Sequence, residues 1–113
     1  MTIIYHMADK VDWQTALETG AYHGTAADKA DGFIHFSVRE TVVESAAKHR
    51  TGVKDLLLVA VEADALGDSL NWEPARGGVL FPHLYASLDP ALVKSTVDLP
   101  VGADNLHIFP ELE

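Results

Sequence analysis

The sequence contains no cysteine. That excludes a disulfide scaffold, a thiolate zinc site and a cysteine nucleophile, and it leaves the redox compartment open. Basic residues are scarce: 8 Lys+Arg stand against 17 Asp+Glu, a formal net charge of −9. Such a surface repels DNA, RNA and anionic lipid at long range, so no nucleic-acid partner is expected. Long apolar runs are also missing. The longest, Leu56 to Val61, is far too short to span a bilayer, and no membrane partner is expected. The first residues, Met1 to His6, lack a cationic stretch ahead of an apolar one, so the cytoplasm is the expected location. Gly-rich phosphate loops, His-Glu-x-x-His and Gly-x-Ser-x-Gly do not occur.

What is present suffices for a core. Of 113 residues 48% are hydrophobic, and no repeat, linker or low-complexity tract divides them. Residues 1–113 therefore read as one folded domain. Thr2 to Met7 is β-branched and aromatic, which predicts a first strand. Asp9 is placed to cap a helix from Lys10 to Thr19 that stops at Gly20. Ala21 to Asp31 reads as a loop. Gly32 to Phe36 reads as a second strand, and Ser37 with Glu40 has the spacing of a capping box ahead of a helix from Val38 to about His49. Leu56 to Val61 lacks alternation and should be a central strand covered on both faces. Strands are expected at Leu70–Glu73, Val79–Tyr85, Ser95–Leu99 and Asn105–Phe109, with Pro82 marking an edge strand or bulge. Two early helices followed by strands make an α+β domain with an antiparallel or mixed sheet. Ile34, Phe36, Leu56 to Val61, Val42, Val43 and Ala46 should share the core.

The chemistry on offer is a set of polar side chains inside apolar strands. His6 follows Ile3-Ile4-Tyr5, His35 lies in Gly32-Phe33-Ile34-His35-Phe36-Ser37, and His83 lies in Phe81-Pro82-His83-Leu84-Tyr85. Strand alternation puts His35 and Ser37 on one face, and His83 with Tyr85. A lone strand histidine is more often a half-buried residue bonded to backbone. Three of them on separate strands point instead to one shared pocket. Glu73 stands in an apolar stretch between Trp72 and Pro74; the alternative is a solvated turn residue. Arg76, beside Gly77 and Gly78, suits bidentate binding of a phosphate or carboxylate, or is a plain surface arginine. His49 ends a helix, where a cation suits the dipole; with His23 and His107 it receives no role.

These segments, in this order over nearly the whole chain, resemble a small bacterial family catalogued as domain of unknown function 952. The chain departs from the family pattern at Ala86, where glycine is usual, and at Phe36, where a small residue is common. That family is grouped by fold with the ADP-ribosyltransferases. The resemblance implies a small split β-sheet with a nicotinamide-dinucleotide cleft between its halves. It matches His6 to the first motif of those enzymes and His35 and Ser37 to the second, and leaves Glu73 or the His83 segment for the third.

The resemblance implies an ADP-ribosyltransferase-like domain whose histidine-lined cleft binds NAD or a related nucleotide. His6, His35, Ser37, Arg76, His83 and Tyr85 would hold the ligand. For glycosyl transfer from NAD, His35 and Glu73 would be catalytic, the carboxylate facing an oxocarbenium-like state. Two alternatives stand beside it. One is a small-ligand-binding domain without turnover. The other is a metal site made of His6, His35 and His83, although no metal is expected as a cofactor.

Overall fold

The structure is a computed structural model that describes residues 2–113, apart from the side chain of Arg76. Among the described residues seven strands and three α-helices follow one another: β1 (Ile3–Asp9), α1 (Lys10–Thr19), α2 (Ala26–Asp31), β2 (Ile34–His35), β3 (Ser37–Val38), α3 (Arg39–His49), β4 (Leu56–Glu62), β5 (Leu70–Pro74), β6 (Leu80–Leu84) and β7 (Val93–Leu99). The strands form two sheets. One has the order β3-β1-β4-β7, the other β2-β6-β5. All ladder pairs are antiparallel. The α+β expectation holds, with an antiparallel and not a mixed arrangement.

The chain steps directly from one sheet to the other at Phe36. His35 pairs with His83 in the three-stranded sheet, and two residues later Ser37 pairs with Tyr5 in the four-stranded sheet. Phe36 lies at the step between them, fully buried. The single strand expected at Gly32–Phe36 is thus two strands in two sheets. Pro82 follows from this break. Its strand β6 is central, not an edge, and shows no bulge against β5. The Pro82 carbonyl accepts the Phe36 N–H at 3.0 Å. In an antiparallel strand a residue's N–H points to the same neighbour as its carbonyl. The donor that proline lacks would therefore face the step in the chain, where the ladder is already interrupted.

The core has two parts, one on each face of the four-stranded sheet. Leu56, Leu58 and Ala60 of β4 pack with Tyr5, Val42 and Leu99. Val59 and Val61 point the other way and pack with Ile4, Ala8, Trp13, Ile34, Phe36 and Leu84. This alternation is why β4 is apolar throughout. Val43 was expected inside and is instead half-exposed, on the outer side of α3. Gly20 ends α1 in the left-handed region as expected, but Asp9 makes no cap bond with its side chain. Asn105–Phe109 forms no strand; a single bridge joins Val101 to His107. Among the described residues no helix is long and apolar enough to cross a membrane.

Candidate functional site

A helix absent from the sequence reading anchors the site. Ala26–Asp31 has no apolar stripe, yet Thr25 and Asp28 form a full capping box at its start. The Asp28 N–H donates to Thr25 Oγ1 at 3.2 Å, and the Thr25 N–H donates to Asp28 Oδ2 at 2.7 Å. The expected box at Ser37 and Glu40 does not form. Val38 occupies the N-cap of α3 without a side-chain bond, and Ser37 Oγ donates to Ser45 Oγ at 3.2 Å.

Capping leaves the other Asp28 oxygen for His35. Oδ1 accepts the His35 backbone N–H at 3.1 Å and its ring Nδ1 at 2.5 Å. His35 Nε2 lies 3.0 Å from Asp31 Oδ2, so the ring is held between two carboxylates. The hydrogen bond to Asp28 raises the His35 pKa, with Asp31 adding to it against the cost of burial. Burial pushes the Asp28 carboxyl upward, but the bonds from His35, the field of His6 and the Thr25 and His35 amides outweigh it and hold it below its ordinary value.

His6 is on β1, buried on the same sheet face as Ile4 and Ala8. Its Nδ1 lies 2.7 Å from the His35 carbonyl, which can only accept, so Nδ1 carries a proton. Nε2 then accepts from the Tyr22 hydroxyl at 2.6 Å. Burial lowers the His6 pKa and raises that of Tyr22, which keeps both neutral. The neutral pair is a consistent donor–acceptor chain. Both His6 nitrogens are spent in it.

The third histidine is the cross-strand partner of the second, with ring centroids 5.5 Å apart. His83 Nδ1 donates to Glu73 Oε1 at 2.8 Å, and the Tyr85 hydroxyl donates to the same oxygen at 2.6 Å. Those two bonds, Tyr85 first, hold the Glu73 carboxyl below its ordinary value, while Glu73 raises Tyr85. Phe33 stacks on the His83 ring at 4.1 Å and 22°.

His6, His35 and His83 line one cavity of about 450 Å³, together with Ser37, Asp28, Asp31, His49 and Arg50. The size suits a small-molecule site. His35 and Ser37 reach it from different elements, not from one strand face. Ser37 is the direct partner of Tyr5 and shares its face, opposite to His6. Glu73 does not line this cavity. Tyr85 lines a smaller one of about 220 Å³ that also touches Asp28. The side chain of Arg76 lies outside the described residues.

Asp28, Asp31, His49 and Arg50 of this cavity received no role in the sequence reading. His49 was assigned only to the helix end. Arg50 donates from Nη2 to Asp9 Oδ1 at 3.0 Å, and its buried Nε has no hydrogen-bond partner among the described residues. As for a metal, no group of three His, Asp or Glu among the described residues is arranged to hold one. The tri-histidine centre therefore does not form: His6 has no free nitrogen, and His35 faces two carboxylates.

The fold and much of the sequence recur in solved structures. The crystal structure of protein CC0527 from Caulobacter crescentus is 44% identical, with a TM-score of 0.91 over 95% of this chain and 94% of that one. The solution NMR structure of CC0527 is 45% identical, with a TM-score of 0.83 over 94% and 91% of the two chains. No curated protein matches the sequence. The family model described as protein of unknown function, DUF952, matches residues 7–96. With four-fifths of its length under that model, the chain belongs to the DUF952 family.

Proposed function

We propose that the cavity between the two sheets binds a small anionic metabolite of the nucleotide class, NAD or a relative of it. The observation that supports this reading is convergence: three strand histidines and Ser37, distant in sequence, line one cavity. Apolar walls with a few converging polar groups are the usual make-up of a ligand site. The net charge of −9 requires a local cation for such a ligand, and Arg50 supplies it with an Nε donor still unused. His35, raised toward its charged form and partly open to solvent, is the second cationic contact.

Binding without turnover is the reading that one specific observation favours over ADP-ribosyl transfer. Transfer needs a carboxylate beside the anomeric carbon. Glu73 is bound to His83 and Tyr85 and lines neither cavity. Both Asp28 oxygens are committed to Thr25 and His35. Only Asp31, half-exposed, could turn toward a ligand.

A thermal-shift panel of NAD, ADP-ribose, mononucleotides and divalent metals tests the proposal. NAD or ADP-ribose should raise the melting temperature of the wild type and leave His35→Ala unmoved. A panel in which no nucleotide acts on the wild type rules out the nucleotide class.

A further inference from the structure

We infer that His83 is the proton-accepting group of the cavity, meeting a hydroxyl or N–H of the bound molecule through Nε2, and that Glu73 is its positioning residue. This rests on reading the cavity as a ligand site. An ionised carboxylate oxygen can only accept, so the 2.8 Å bond to Glu73 Oε1 puts the ring proton of His83 on Nδ1. In the neutral ring the lone pair is then on Nε2. No described residue bonds to Nε2, and His83 lines the larger cavity while Glu73 does not. The edge turned from Glu73 is the edge left for a ligand.

Three contacts fix the ring in that pose. Tyr85 donates to the same Glu73 oxygen at 2.6 Å and holds the carboxylate in place. Phe33 covers one face of the imidazole. The chain before His83 is Pro82, bonded to Phe36 through its carbonyl. The neighbouring His35 is the complement. Its two nitrogens are engaged by Asp28 and Asp31 and its pKa is raised, so it brings positive charge to the cavity where His83 brings an acceptor. A ribose hydroxyl fits the acceptor side. Its O–H donates a hydrogen bond to the Nε2 lone pair.

The test needs no ligand, so its failure is separate from failure of nucleotide binding. Long-range ¹H–¹⁵N NMR of the labelled full chain, recorded on the neutral ring, should show His83 protonated at Nδ1 and bare at Nε2. Glu73→Ala should turn the His83 pattern into the tautomer mixture of a free histidine, and Glu73→Gln, which keeps an acceptor oxygen, should restore it. A wild-type His83 protonated at Nε2, or a Glu73→Ala variant with an unchanged His83 pattern, overturns the inference.

Discussion

Asp28 Oδ1 takes both the backbone N–H and the ring Nδ1 of His35, so one buried carboxylate fixes the place and the charge of one histidine. Its other oxygen is bound to the Thr25 amide. The position of His35 in the cavity is thereby tied to a six-residue helix rather than to its own two-residue strand.

The first prediction concerns pH. The folded pKa of His35 is raised, by its bond to Asp28 above all. Its contribution to stability is fully present below the ordinary value of 6.5 and is lost as pH rises through the folded value. Asp28 is depressed below its ordinary 3.8, so its contribution is present above that value and is lost as pH falls through the folded one. The pair is therefore strongest between the two ordinary values and weakens beyond them toward the folded ones. Chemical denaturation of wild type and His35→Gln checks this. The stability gap between them should be larger at about pH 6 than at about pH 9. His6 is lowered chiefly by burial, and removing the His35 charge relieves a further, smaller lowering of it.

Gly24 bears on the same carboxylate. Its φ is +94°, and a Cβ there would meet Asp28 Cβ and Oδ2 at 2.6 Å. Gly20 has a similar φ of +88° with nothing near its missing Cβ. Gly20→Ala should cost about 1 kcal/mol of backbone strain. Gly24→Ala should cost clearly more, upward of about 2 kcal/mol, because a buried, fully bonded side chain must move. Melting curves of the two variants, with the ring NMR signals of His35 as a local reporter, distinguish strain from displacement of Asp28.

Core truncations follow the two-faced β4 strand. Leu58 is buried with Tyr5, Val42 and Leu99, so Leu58→Ala should cost roughly 2–5 kcal/mol. Val43, half-exposed on α3, should lose under about 0.5 kcal/mol on truncation to Ala. Equal losses in urea titrations would contradict the packing described for α3.

Most of the fold was readable from residue pattern. The bounds of α1, the apolar run of β4 and the three histidine-bearing segments all carry strong local signals. α2 did not, because six residues with three alanines and three charges have no apolar period. Its one signal was Thr25 three residues before Asp28, and with the helix the reading also missed the carboxylate that holds His35. The break at Phe36 was equally hidden. Period-two alternation assumes one continuous strand, and nothing local marks a step between sheets. Glu73 stood out in the sequence for its apolar surroundings, but its partners His83 and Tyr85 lie on or just beyond a different strand, which only the β5–β6 register reveals.

The most direct measurement is a titration of the labelled protein with ADP-ribose and with NAD, followed through the histidine ring resonances. The account predicts that His35 and His83 shift together and saturably, while His107, bonded to the Val53 carbonyl and absent from the cavity lining, stays still. Rings of His35 and His83 that remain unmoved at saturating concentrations of both ligands would contradict it.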